Sequence, residues 1–577
     1  MSYFKYICCV LLFIWQVQFL QAQENGIIVK KNPLTVIGNI GTSANFYTSN
    51  EPVDTRPSYS WNINGNLLGK INQVSIPLSF VVNQYSKSNA SAFIQAGLSP
   101  TYKWAILHLG YRYMSLSPLT FEGQSFKGVG IELNPKLFRF AAFYGKLNRA
   151  VNEDTSRNNY KIPQFSRIAY GLKVGYGNTS RFIDLIYFHA KDDSSSTSIL
   201  SNKIFYRPQE NSVVGTSLKY TLFKKLILTG DLAISGLIQD LGSKNKILDS
   251  ANGGLKKFIK HFLPSNETMV ASYATQSSLM FFTRNFSSNF GYRRVEPNFK
   301  SLGTPYMLND IVLISWGNNF SLAKGKLNFS SNLSQQHNNL DKKLITELTT
   351  QVGNFNINAI LGQHFNLNFN YSGYNLKQKD GNDFTIDSLR INDTVRLNQR
   401  ISQYSISPGY NITKNNKIHY ISANINLSYL KDKNGHTSPF TSSNNFSSSL
   451  NYTLALINKS CSFSLNALYT KYKQASNTYR SYGPTFGTSA QLLKNKNLNI
   501  QGNIGCFFNR YNTNDRQRNM SYSLNTGYNA KHHSFSLYAN YIYTQPNNSI
   551  IDAINKTYPY AVATKNLAGG VSYNYSF

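Results

Sequence analysis

Residues 569–577 read GGVSYNYSF. Side chains alternate along an extended strand, so Val571, Tyr573, Tyr575 and Phe577 fall on one face. Ser572, Asn574 and Ser576 fall on the other. A strand that stops on its own aromatic residue predicts that the terminus is used, either to close a sheet or to be read by an assembly machine.

The same alternation recurs upstream. In HFNLNFNYSGY (364–374), Phe365, Leu367, Phe369 and Tyr371 alternate with Asn366, Asn368, Asn370 and Ser372. ISANINLSYL (421–430) and HSFSLYANYIY (533–543) follow the same rule. Such runs reach about ten residues, longer than the ~5–6 of a globular strand and matched to the ~9–11 that a tilted strand needs to cross a bilayer.

Short turn signals fall near 66–71, 134–136, 177–180, 222–225, 322–326, 413–417, 457–460, 493–497 and 530–533. Longer polar segments lie between them, at 48–57, 84–91, 115–127, 148–165, 190–209, 238–269, 293–306, 335–343, 377–397, 431–441, 473–480, 510–519 and 545–560. Alternating short and long connections are the pattern of a membrane meander, with tight turns on one side and long loops on the other. One strand on each side of every long segment gives about 26 strands, within a range of 22 to 26. The fold class is all-β, a transmembrane antiparallel meander barrel.

Composition agrees. The 577 residues include 39 Tyr and 37 Phe, and charged residues make up only 15%. This mixture suits strands with one apolar and one polar face. The first residues, MSYFKYICCVLLFIWQVQFLQAQ, carry Lys5, an apolar run and Ala22, the pattern of a secretory signal peptide. The division is therefore a leader over 1–22, a short periplasmic segment over 23–32 and a barrel over 33–577. The formal charge of +32 loses one unit with the leader. That balance suits a surface adapted to anionic headgroups, or a cationic passage for anions. No basic motif with a fold context points to nucleic acid.

Taken together, the leader, the amphipathic strands, the turn and loop alternation and the terminal VSYNYSF resemble integral outer-membrane β-barrels. The aromatic- and Asn-rich style resembles large barrels of Bacteroidota. The resemblance implies that Val571, Tyr573, Tyr575 and Phe577 form the signal read by the barrel-assembly machinery. TonB-dependent transporters are similar in size, but strand signals here begin near residue 33, which leaves no room for their plug domain. Backbone facing hydrocarbon must be paired, so the strand beginning at Pro33 is expected to pair with the last one.

No catalytic constellation is predicted, and no cofactor or metal. The nine histidines lack metal spacing, and His532 and His533 are read as solvated in a turn. A disulfide between Cys461 and Cys506 is not expected, because another strand separates theirs. Alternation points Arg112, Glu132, Arg139, Arg167, Lys173, Asp184, Lys219 and Asp231, with His108, into the lumen. This charged strip reads either as ion-paired struts or as a surface that contacts a solute or grips a plug. The C-terminal half carries mostly Asn and Ser on the same face.

Within the longest loop, Leu255, Phe258, Ile259 and Phe262 recur at helical spacing with lysines opposite, which predicts a short basic amphipathic helix. It would pack on the rim, narrow the mouth, touch lipopolysaccharide or dock a partner. Asp249, Asp387 and Asp393 open tripeptides that resemble a short O-glycosylation pattern. Two functions follow. The first is a wide polar channel for solutes or polymers, gated by its loops or a partner. The second is a structural or assembly barrel for surface export or attachment, its lumen occupied by a plug or surface partner protein. Outer-membrane lipid and lipopolysaccharide are the expected surroundings.

Overall fold

Antiparallel pairing runs without interruption from Leu34–Ser49 to Thr564–Ser576, and these two end strands pair with each other. The structure, a computed structural model, describes residues 34–50, 56–84, 95–153, 162–198, 206–243, 254–259, 261–263, 267–380, 397–434, 438–512, 515–545 and 563–577. The leader, the segment that follows it and the three Asp tripeptides lie outside the described residues.

The sheet has 27 segments, but Gln95–Leu98 and Thr101–Tyr102 both bridge Val74–Asn83 and Ala105–Tyr113. They are two pieces of one interrupted strand, and the barrel has 26 strands. Closure follows the register Asn39↔Ser576 through Ser49↔Asn566. Every edge is consumed, as a hydrocarbon environment requires. No helix among the described residues is long and apolar enough to cross a membrane; the strands do the crossing.

Alternation assigns the two faces. Along Ser166–Gly177, the side chains of Tyr170, Leu172, Val174 and Tyr176 are exposed on the exterior, while Ala169 and Gly171 are buried on the inner face. Tyr176 and Leu185 each leave 66% of their surface uncovered by protein. An apolar exterior this continuous would drive aggregation in water, and hydrocarbon is the solvent that covers it.

Three connections differ from the sequence reading. The turn placed at 66–71 lies at 72–73, where Asn72 adopts φ 52°; Leu67 to Ile71 are still strand. The segments 473–480 and 510–519 were expected to be long loops. In the structure Cys461–Gln474 passes to Asn477–Leu492, and Leu498–Tyr511 to Asp515–Ala530, through only two and three residues. The polar residues there continue the strands above the membrane. The histidines of the last turn are exposed and also hydrogen-bonded: His532 Nδ1 lies 2.8 Å from the Ser576 carbonyl and His533 Nδ1 2.9 Å from the Tyr573 hydroxyl. Cys461 and Cys506 are free thiols.

Candidate functional site

The inner face of the N-terminal half is apolar toward its extracellular end. Phe126, Phe143, Phe188, Val213, Ala233, Ala274 and Val295 occupy inward positions on successive strands and are buried. The groups that cover them come from two loops folded into the lumen. Residues 114–124 supply Met114, Leu116, Leu119 and Phe121, and residues 296–310 supply Phe299 and Leu302. Phe121 stacks on Phe143 at 4.4 Å between ring centroids and on Phe188 at 5.6 Å. Glycines admit this approach: a Cβ on Gly171 would stand 2.6 Å from Leu116, and one on Gly303 would stand 2.8 Å from Phe188. Burial of these side chains is the largest favourable term available to an otherwise solvated loop.

Polar groups latch the two loops to each other and to the wall. The Glu122 N–H donates to the Gly303 carbonyl at 3.0 Å, beside a parallel bridge between Phe121 and Gly303. Asn211, fully buried on the inner wall, donates to the carbonyls of Gly236 (2.8 Å) and Lys300 (3.1 Å) and to the Ser235 hydroxyl (2.9 Å). Its side-chain oxygen accepts the Leu302 N–H at 3.0 Å. One amide therefore ties the 296–310 loop to two wall strands. Burial also holds the Lys300 ammonium below its ordinary pKa, with Arg167 acting in the same direction.

Beneath and beside this plug lies the charged strip. Arg139 makes a two-point bridge to Asp184 (2.7 and 2.9 Å), and Arg167 makes one to Asp192 (2.7 and 3.0 Å). Glu132 meets His108 at 2.9 Å. Arg112 donates to Ser99, Ser79 and the Gly97 carbonyl at 2.7, 2.9 and 3.1 Å. Asp231 accepts from Ser217. Lys173 interacts electrostatically with Asp184 and Glu132, and Lys219 makes no hydrogen bond or ion pair among the described residues. Most of the strip is cross-braced wall. Sequence reasoning missed Asp192, Asn211, Ser235 and Arg293. Arg293 occupies an inward position opposite Gln276, and its Nε has no hydrogen-bond partner.

The rest of the circumference is different. From Ile311–Leu322 through the closure to Leu34–Ser49, no described inward position holds Lys or Arg. Asp432, inward by register, sits at the extracellular end of its strand. The remainder is mostly amide and hydroxyl, joined along and between strands: Asn358 to Asn356 at 2.7 Å within one strand, and Asn424 to Ser407 at 2.8 Å, Asn503 to Ser523 at 3.1 Å and Asn39 to Asn574 at 3.0 Å between neighbours. Apart from Ile311, which joins the core of the N-terminal half across from Val295, no described residue of this inner face belongs to a hydrophobic core. The lumen thus has a plugged half and an amide-lined half.

The loop helix spans Gly254–Ile259, and a turn over 261–263 follows it. Ile259 and Leu263 bury against Ile238 and Met269, and a Cβ on Gly236 would meet Ile259 at 2.2 Å. Gly236 is an outward position, since Ser235 and Leu237 face in. The helix therefore lies on the outside of the rim, with Phe258 and Phe262 exposed and Phe262 5.6 Å from Tyr187. The side chains of Leu255 and the helix lysines lie outside the described residues. At the seam, Val571 and Tyr573 stand opposite Ala44 and Thr42 on the outward face, and Tyr575 opposite Ile40.

A closed sheet with an apolar exterior and a partly polar interior defines a large transmembrane β-barrel. Several solved outer-membrane barrels align with it at low similarity. Acinetobacter baumannii OccAB2 aligns at 10% identity over 69% of this chain and 98% of that one, with a TM-score of 0.31. Pseudomonas aeruginosa OccK3 (OpdO) aligns at 10% identity over 65% and 94%, with a TM-score of 0.32. The P pilus usher (PapC) translocation pore aligns at 10% over 94% and 100%, with a TM-score of 0.35. No family model and no curated protein matches the chain.

Proposed function

We propose that this protein is an outer-membrane channel for uncharged hydrophilic solutes, which pass along the amide-lined half while the two inward loops narrow the other half. The supporting observation is the inner face from Ile311–Leu322 round to Leu34–Ser49, which holds amides and hydroxyls and no Lys or Arg. Such a wall exchanges hydrogen bonds with a polyhydroxylated solute at little net cost, and has few fixed charges to select ions. The chain's positive charge lies mainly on turns, loops and outward positions, so it does not make the pore an anion passage. The work is transport, with no bond made or broken. Reconstitution tests it. Liposome swelling in neutral oligosaccharides of graded size should show permeation with a size limit, and planar bilayers should show weak ion preference. Neither swelling nor conductance would reject the channel and favour a scaffold whose lumen is filled by a partner.

A further inference from the structure

Three strands of the C-terminal half put basic residues on the exterior in direct register. Lys471 stands opposite Arg480, and Arg480 opposite Arg510. All are close to the extracellular ends of their strands. Like charges directly across a pair of antiparallel strands are destabilising. Lys471, Arg480 and Arg510 nonetheless make no ion pair with any described residue, and no outward position on these strands carries an acid. A row of this kind calls for an anion from outside the chain.

One outward position closer to the membrane, the row becomes aromatic: Tyr469 opposite Tyr482, and Tyr482 opposite Phe508 with ring centroids 5.8 Å apart. Below that the exterior carries an apolar furrow of about 350 Å³. Its floor is Gly502, flanked by Phe486, Ile504, Tyr522, Leu524 and Tyr541. Ile504 is six residues from Arg510, about 20 Å along the strand. That separation matches a lipid whose headgroup sits on the basic row and whose acyl chain lies in the furrow.

We infer that this face is a binding site for a phosphate-bearing glycolipid of the outer leaflet, its phosphates bridging Lys471, Arg480 and Arg510 and one acyl chain lying over Gly502. The inference rests on the membrane placement of the exterior and is independent of whether the lumen conducts. Phosphate oxygens accept from two guanidinium groups at once, which turns repulsion between strands into a bridge. The furrow commits the occupant to a lipid, since free phosphate has nothing to place there.

Purified barrel in a neutral detergent, with its folding verified by heat-modifiability on gels, is titrated with phosphorylated lipid A, with its dephosphorylated form and with inorganic phosphate. Bound lipid is counted by native mass spectrometry. Phosphorylated lipid A should bind at least tenfold more tightly than the dephosphorylated form, and inorganic phosphate should not compete at equal concentration. The triple variant Lys471→Gln, Arg480→Gln, Arg510→Gln should lose the phosphate-dependent tenfold. Gly502→Leu, whose new side chain meets no tight backbone contact, should weaken lipid A while leaving the phosphate preference in place. A control triple on periplasmic turns, Lys224→Gln, Lys225→Gln and Lys324→Gln, removes the same charge and should change nothing. Equal binding by the row variant, or an equal loss in the control, overturns the site. Full competition by inorganic phosphate would reduce the row to a simple anion site and also overturn it.

Discussion

Phe577 donates its backbone N–H to the carbonyl of Gly38 at 2.8 Å, joining the end of the closing strand to the strand that opens the barrel. Gly38 has φ 144°, and a Cβ there would lie 2.1 Å from the Asn66 carbonyl, so the seam tolerates no side chain at that point. The Phe577 ring packs edge-on against Tyr575 at 4.9 Å.

Deleting Phe577 should therefore impair assembly far more than an insertion between Ser443 and Asn444, at the extracellular start of its strand. Each seam group left unpaired in hydrocarbon costs several kcal/mol. Outer-membrane fractionation and surface protease accessibility compare the two; equal yields of folded barrel would show that the seam closes without Phe577.

Leu427 faces out and Asn426 faces in, on the strand Lys417–Asp432. Leu427→Arg should destabilise by about 2–4 kcal/mol, with Asn426→Arg costing much less. Heat-modifiability reports both. Equal loss would mean that the faces are assigned wrongly.

Asn211→Ala removes its hydrogen bonds to the 296–310 loop and leaves the buried Leu302 N–H without its acceptor, while the Lys300 carbonyl keeps the Ser235 hydroxyl at 2.6 Å. Unsatisfied buried groups of this kind cost about 1–3 kcal/mol. The barrel should still assemble, while the loop becomes a protease site and single-channel conductance rises. An unchanged conductance with a released loop would show that the loops do not narrow the pore.

Replacing Arg112, Lys173 and Lys219 by Gln together should leave assembly intact and shift the reversal potential in a salt gradient away from anions. The shift should be small, because Arg112 is hydrogen-bonded and Lys173 lies among carboxylates. No shift at all would assign the three to bracing the wall.

Strand number, face and closure were legible because a hydrocarbon-facing wall enforces period two at every crossing: Phe365 to Tyr371 and Phe535 to Tyr543 could be read in no other register. The interior was legible only in part. Reading charges alone brought out Arg139 and Asp184, yet the inward Phe143, Phe188 and Val213 were equally visible and announce that something apolar must cover them. Met114, Leu119 and Phe121, in a loop with no lipid to face, were the matching signal. The partners of those loops are scattered along the chain, with Phe143 and Phe188 against Phe121 and Leu302 bonded to Gln124 across 178 positions, and spacing along the chain carries no record of such contacts. Asn211 gave no signal, since its importance comes wholly from the loop that reaches it.

The plug also makes the barrel unequal in how it should yield. Its N-terminal half has an interior like that of a water-soluble domain, stacked phenylalanines under a hydrogen-bonded cap. The amide-lined half has its wall alone. Cooperative units follow buried contacts, so the strands from Ser125–Leu133 to Phe286–Val295 should open together and late, and those from Leu327–Asn338 to His533–Gln545 earlier and piecemeal. Amide hydrogen exchange in detergent would resolve the two as a slow block and a fast one. The same order reversed in time would make the plugged half the template on which the rest of the wall is zipped, strand by strand, until the seam is reached.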